Sequence, residues 1–267
     1  MEKKDRNDLR TAVRLLEKPG MSIRLINLLG YPIEGFIKVL PGWIGRAIRN
    51  TAAKAVGTAF YTALSTMDKK RRGRPYRLFH RAMVLVSGAV GGFFSLPGLI
   101  VELPISTTLM LRSIADIARS EGEDLSSVDT HLACITVFAL GGRSWGDNAA
   151  DAAYYAVRAA LTRTLSEAAE FIVQRGMVEE GTPIVIRVMT NLASRFGVIV
   201  TDKVAAEMIP ILGAIGGALI NLLFISHFQS AARGHFTVRR LERKYGEELV
   251  KGEYEKLLGE LRPGVKP

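Results

Sequence analysis

A chain of 267 residues with 36 Lys and Arg against 26 Asp and Glu, a net charge of +10, is long enough to bury a substantial core in one large domain or two modest ones. Its 48% apolar content and slightly positive mean hydropathy exceed what a freely soluble globule needs, so some apolar surface has to be hidden elsewhere. The single cysteine, Cys134, excludes an internal disulfide and a thiol pair for a metal, which suits a reducing compartment.

The charge is unevenly placed. Residues 1–81 hold 18 Lys and Arg against 6 Asp and Glu, whereas residues 82–267 hold 18 against 20. A basic leading part calls for an anionic partner, lipid headgroups and nucleic acid being the two common ones. Met1 to Arg14 is charged and lacks the apolar stretch of a secretory signal, so export of the N-terminus is not expected.

In chain order, Leu9, Val13 and Leu16 mark a short amphipathic helix ended by Pro19 and Gly20. An apolar patch from Met21 to Leu40 is broken by Gly30, Pro32 and Gly35. Pro41 and Gly42 then open a helix with small residues such as Ala52, Ala55 and Ala59 on its inner face. Lys69, Lys70, Arg71, Arg72, Arg74 and Arg77 form a basic loop with Gly73 and Pro75 inside it. Directly after it, residues 82–101 carry no charge, which meets the length criterion for a membrane span. Amphipathic helices are expected near 109–119, 126–140, 147–175 and 184–200. Ser126 and Ser127 precede the second of these, with Asp129 in its first turn. Met208 to Ser226 is a second uncharged run and span candidate. Arg233, Arg239, Arg240, Arg243 and Lys244 follow it as a basic flank, and a polar helix is expected over 236–261.

Alternating strand patterns are scarce throughout, so the fold class is all-α, a multi-helix bundle with two central Gly-rich apolar helices in one domain over 1–267. The two apolar runs share a pattern, Gly88, Gly91 and Gly92 in the first and Gly213, Gly216 and Gly217 in the second. Glycines at this spacing let helix backbones approach, which suggests that the runs cross there, in lipid or inside a soluble helical core. Glu102, Glu207 and Asn221 are polar groups in apolar sequence, and a contact from Glu102 to Asn221 or to Arg112 would offset their burial.

The stretch from Gly213 through Asn221, followed by His227, Phe228, Gln229, Ala232, Arg233, Gly234, His235, Phe236, Arg239, Arg240, Leu241, Glu242, Tyr245 and Gly246, resembles the C-terminal signature of the EcsC family. Gly91, Gly92 and Phe93 leading through Pro97 and Gly98 to Met110, Arg112 and Asp116, the run Val137 to Gly142, and the cluster Tyr154, Tyr155 and Arg158 agree with it. The resemblance spans roughly residues 10–246. This bacterial family is named for a gene beside an ABC transporter linked to secretion, and the resemblance brings no catalytic residues with it.

Gly142, Arg143, Ser144, Trp145 and Gly146 fit G-x-S-x-G, and Asp202 with His227 or His235 would complete the chain order of a hydrolase triad. That elbow needs a preceding strand, and residues 126–140 read as helix, so Ser144, His227 and His235 are weak candidates. His80, His131, His227 and His235 include no pair at zinc-motif spacing, and neither metal nor cofactor is expected. The basic loop has only Tyr76 as a nearby stacking ring and no recognised nucleic-acid module, so nucleic acid is disfavoured as a partner. The expectation is a non-catalytic protein at the inner, cytoplasmic face of the cell membrane, docked or inserted, that contacts anionic lipid or supports a membrane transport or secretion machine. A soluble helical enzyme and a plain soluble interaction protein are the alternatives, and self-association into a homo-oligomer stays open.

Overall fold

The computed structural model describes residues 1–17, 77–93, 95–141, 154–161 and 213–261. Six helices are bounded within them: α1 (Lys3–Leu16), α2 (Arg77–Phe93), α3 (Ser95–Ser120), α4 (Val128–Gly141), α5 (Gly213–Tyr245) and α6 (Glu247–Leu261). Residues 154–161 are also helical, and the described residues contain no strand.

The helices start and stop where local chemistry directs. In α1, Leu9, Ala12, Val13 and Leu16 recur at three- and four-residue spacing and turn one apolar stripe inward, with Asp5 in the first turn and Arg14 in the last. α3 ends at a glycine in the left-handed region, Gly122 at φ 85°. There the N–H of Glu123 reaches the carbonyl of Ala118 and that of Gly122 reaches Arg119, so the last carbonyls of the helix are capped. Before α4, the Asp124 carboxylate accepts from the N–H and hydroxyl of Ser126, which sets the turn into Val128. Inside α3, Pro104 lacks an N–H for the helical ladder, while its carbonyl takes a bond from the Thr108 hydroxyl at 2.8 Å.

Two expectations are revised. The uncharged run 82–101 is not one helix: α2 stops at Phe93 and α3 starts at Ser95. Ser87 and Glu102, nearly equidistant from that break, meet at 3.4 Å, so the two helices fold back on each other. No helix among the described residues is long and apolar enough to cross a membrane. The polar helix expected over 236–261 is likewise two pieces, because Gly246 at φ 88° ends α5 by returning its N–H to the Glu242 carbonyl, and α6 begins at the next residue.

α5 is the centre, in contact with α1, α2, α3, α4 and α6. Ile220, Phe224, Phe228, Ala232, Phe236 and Leu241 on it are fully buried. Hydrogen bonds give the directions: Asn221 reaches Val84 and Gln229 reaches Arg77, so α2 runs antiparallel to α5, whereas Asn221 to Glu102 and Gln229 to Ser113 make α3 parallel to it. α1 lies antiparallel along the C-terminal half of α5. It is held at one end by Lys244 on Glu2 and Asp5, and approaches closely at Gly234 near the other.

Asp5 is a buried carboxylate that accepts from Lys244 Nζ and from the Tyr245 hydroxyl, each at 2.7 Å. Those two hydrogen bonds hold its carboxyl at about 2, from an ordinary 3.8. Between these values the unfolded chain binds a proton that the folded chain refuses, so Asp5 stabilises the fold above about pH 4 and that contribution fades as the pH drops toward about 2. Urea midpoints should therefore fall on going from about pH 5 to about pH 2.5 by more in the native chain than in Asp5→Asn, whose own midpoint at the higher pH is already lower. At Gly234 an added Cβ would lie 2.5 Å from Leu16 Cγ and 3.1 Å from the backbone oxygen of Ala12. Gly234→Ala is expected to cost about 1–3 kcal/mol in denaturant unfolding, with part regained when Leu16→Ala is added, since only the side-chain clash is then relieved.

Candidate functional site

The rotation of α2 about its axis is set by what it buries. Val84 faces the core and its carbonyl accepts from Asn221, so the opposite side of the helix points outward. That side carries Leu78, Phe79, Met83 and Val86, exposed to 79%, 60%, 43% and 65%. Phe79, Met83 and Val86 follow at four and three residues and form one continuous apolar stripe. Large apolar side chains gathered on one helix face, rather than scattered singly, mark a surface that meets something other than water.

Arginines stand beside this stripe. Arg81 lies about 60° round the helix from Leu78, and Arg77 one turn before Arg81. Arg81 Nε donates at 2.7 Å to the side-chain oxygen of Gln229 on α5, whose amide nitrogen donates in turn to the Arg77 carbonyl and to Ser113 on α3. Arg233, exposed on α5, is one turn beyond Gln229. Burial, and then the charges of Arg77 and Arg81 with Glu121 opposing them, lower the Arg233 guanidinium from its ordinary value.

Two turns away, Asn221 gathers a second polar group. Its Nδ2 donates to Glu102 Oε1 at 2.6 Å and to the Val84 carbonyl at 3.1 Å, with Ser87 Oγ at 3.5 Å. Glu102 and Asn221 are both buried. Of the two contacts weighed for Glu102 from sequence, the one to Asn221 is therefore within hydrogen-bond distance.

A third cluster lies against α6. Arg158 donates to Glu242 at 2.7 Å and to the Tyr154 hydroxyl at 3.1 Å, and that hydroxyl meets His235 Nδ1 at 3.0 Å. With Arg158 donating to the phenol oxygen, the phenol hydrogen goes to Nδ1 and the ring proton of His235 to Nε2. Burial, with Arg158 and Arg239 adding to it, keeps His235 well below the ordinary histidine range and so neutral. Tyr154 stacks on Tyr254 at 5.5 Å, and burial pushes both phenols up.

The remaining sequence candidates distribute as follows. Lys69, Lys70, Arg71, Arg72 and Arg74 lie outside the described residues, as do Ser144 and Asp202, while Arg77 opens α2. His227 is buried edge-on to Phe228. His131 Nε2 sits 2.7 Å from the Leu125 carbonyl, and burial raises the Cys134 thiol far above its usual range. No group of three metal-binding side chains converges among the described residues. Gly88, Gly91 and Gly92 fall on α2, and Gly213, Gly216 and Gly217 on the first turns of α5.

Apart from Arg233, the basic flank after the second apolar run is consumed internally. Arg239 pairs with Glu123 and Asp129, Arg240 with Asp8 and Glu121, Arg243 with Glu123, and Lys244 with Glu2 and Asp5. Sequence reasoning quoted Gln229 only within the family signature and gave no role to it, although it fixes the Arg81 side chain and meets the Arg77 carbonyl. The available signal was a lone amide on a face otherwise made of Ile225, Phe228, Ala232 and Phe236.

The EcsC protein family pattern matches residues 45–241, well over half of the chain. This chain belongs to the EcsC protein family. The match takes in α2 to α4 and nearly all of α5, and leaves α1 and α6 outside it. Comparison with curated proteins and with solved structures returns no match. The EcsC assignment names the family and leaves activity to be argued from the residues themselves.

Asn221→Ala removes the donor to a buried carboxylate and is expected to cost about 2–3 kcal/mol in denaturant unfolding. Asn221→Asp, which sets two carboxyl groups face to face, should cost more at neutral pH and regain stability on acidification to about pH 5 as one of them binds a proton.

Proposed function

We propose that this EcsC-family chain is a non-catalytic, peripheral membrane protein that lies on an anionic lipid surface through α2, at the cytoplasmic face of the cell membrane. The observation that carries this reading is the outward stripe Leu78, Phe79, Met83 and Val86, bordered by Arg77 and Arg81 and preceded in sequence by the basic run Lys69 to Arg74. Such a helix enters the boundary between headgroups and acyl chains sideways, with apolar side chains below and cations at phosphate level. Each well-placed cation contributes about 1 kcal/mol on an anionic surface.

The division of the uncharged run between α2 and α3 supports shallow docking over a pair of spans. The glycines fit the same picture. Carrying the antiparallel Val84–Asn221 pairing onward brings Gly88 abreast of Gly217 and Gly92 abreast of Gly213, which supports a close crossing of α2 and α5 behind the docking face. A protein of this kind would hold a membrane transport or secretion machine at the lipid surface, or contact the lipid for its own sake.

The test is flotation of the purified chain with vesicles of phosphatidylcholine alone and of phosphatidylcholine with phosphatidylglycerol. The native chain should float with the anionic vesicles, and Phe79→Ser with Met83→Ser and Val86→Ser should reduce the bound fraction about tenfold or more while leaving the melting temperature nearly unchanged, because all three side chains are already in water. A native chain that ignores vesicles of every charge, or a triple variant that floats as well as the native chain, would sink the reading.

A further inference from the structure

The cations of α2 and α5 divide into two groups. Arg239, Arg240, Arg243 and Lys244 each face a carboxylate, whereas among the described residues no carboxylate comes within ion-pairing distance of Arg77, Arg81 or Arg233. Glu121, the acid whose charge acts on Arg233, is already engaged by Arg240.

The unpaired arginines also share one place. In the antiparallel packing of α2 on α5, Gln229 touches the side chain of Arg81 and the carbonyl of Arg77, and Arg233 lies one turn further along α5, beyond the start of α2. Side chains lean toward the N-terminus of their helix, so those of Arg77 and Arg233 lean toward each other, and the charges of Arg77 and Arg81 both act on the Arg233 guanidinium. Arg81 is fixed through Nε by the buried Gln229 amide, which leaves its two terminal nitrogens unspent. Like charges held together on a rigid support, with donors already oriented, are unfavourable by themselves and favourable around a multivalent oxyanion. Such an oxyanion would accept paired hydrogen bonds from each planar fork.

We infer that Arg77, Arg81 and Arg233 form a phosphate-binding site, and that the phosphate it takes is that of an anionic lipid headgroup. Leu78 and Phe79 next to Arg77 would enter the lipid while the phosphate sits between α2 and α5. The headgroup assignment rests on the docking proposed above; the capacity to bind phosphate does not.

The experiment compares the native chain, Arg77→Gln with Arg233→Gln, and Arg77→Lys with Arg233→Lys, in two assays. Among the described residues neither side chain has a hydrogen-bond or ion-pair partner, so the Gln pair should melt at the same temperature as the native chain or slightly higher in phosphate-free buffer. Inorganic phosphate at matched ionic strength should then raise the native melting temperature and leave that of the Gln pair in place. Flotation with phosphatidylglycerol vesicles should weaken about tenfold or more in the Gln pair, and measurably in the Lys pair, which keeps the charge and loses the planar fork.

A lower melting temperature of the Gln pair without phosphate would make the arginines structural and overturn the inference. Equal stabilisation of native chain and Gln pair by phosphate, or a Lys pair that equals the native chain in both assays, would also overturn it, while native flotation would leave the docking reading standing. Phosphate binding lost in the Gln pair, with no flotation of the native chain, would keep the phosphate site, assign it to a soluble phosphate, and overturn both its headgroup assignment and the docking reading.

Discussion

Two side-chain amides on α5, eight residues apart, tie three helices together. Gln229 accepts from Arg81 and donates to the Arg77 carbonyl and Ser113, and Asn221 donates to Val84 and Glu102. Each therefore bridges α2 and α3. An amide can be buried at low cost only where its partners are in reach, so the pair fixes both the register and the rotation of α2. Apolar packing alone would tolerate a small slip of these helices, because aliphatic contacts are not directional. With the amides in place, a slip would strand buried donors, and the outward direction of Phe79, Met83 and Val86 follows from the inward direction of Val84.

Charge is treated in opposite ways at two places along α5. Near its C-terminal end, four cations within two turns are met by carboxylates from α1, from the segment joining α3 to α4 and from the first turn of α4. Several of these pairs are partly buried, where a lone charge would be costly and a paired one is tolerated. Further back along α5, around Gln229, the arginines have no such partners among the described residues. A net charge of +10 does not separate these cases, since it counts a neutralised arginine and an unspent one alike. Only the second kind projects a field that an anionic surface can feel.

Legibility from sequence followed the range of the contacts. α1 was readable because Leu9, Val13 and Leu16 carry their own period, and α4 because Ser127 and Asp129 announce its start. A buried contact between Glu102 and Asn221 could be anticipated, since polar groups in apolar runs need partners and few were on offer. The break between Phe93 and Ser95 was missed because a charge-free window records hydropathy and not direction, although Pro97 and Gly98 lay close by. Gly246 was a local signal left unused. The pairing of Arg239 with Glu123, of Arg81 with Gln229 and of Arg158 with Glu242 had no local signature, because each partner is more than eighty residues away.

The position of α1 has a consequence for the order in which the molecule is completed. Among the described residues its partners are Gly234, Arg240, Lys244, Tyr245, Glu253 and Glu260, all far along the chain from it, so these contacts close a very long loop. The closing of so long a loop comes late and slowly compared with the local helices. The seam of α1 with α5 and α6 is therefore a late join of the fold.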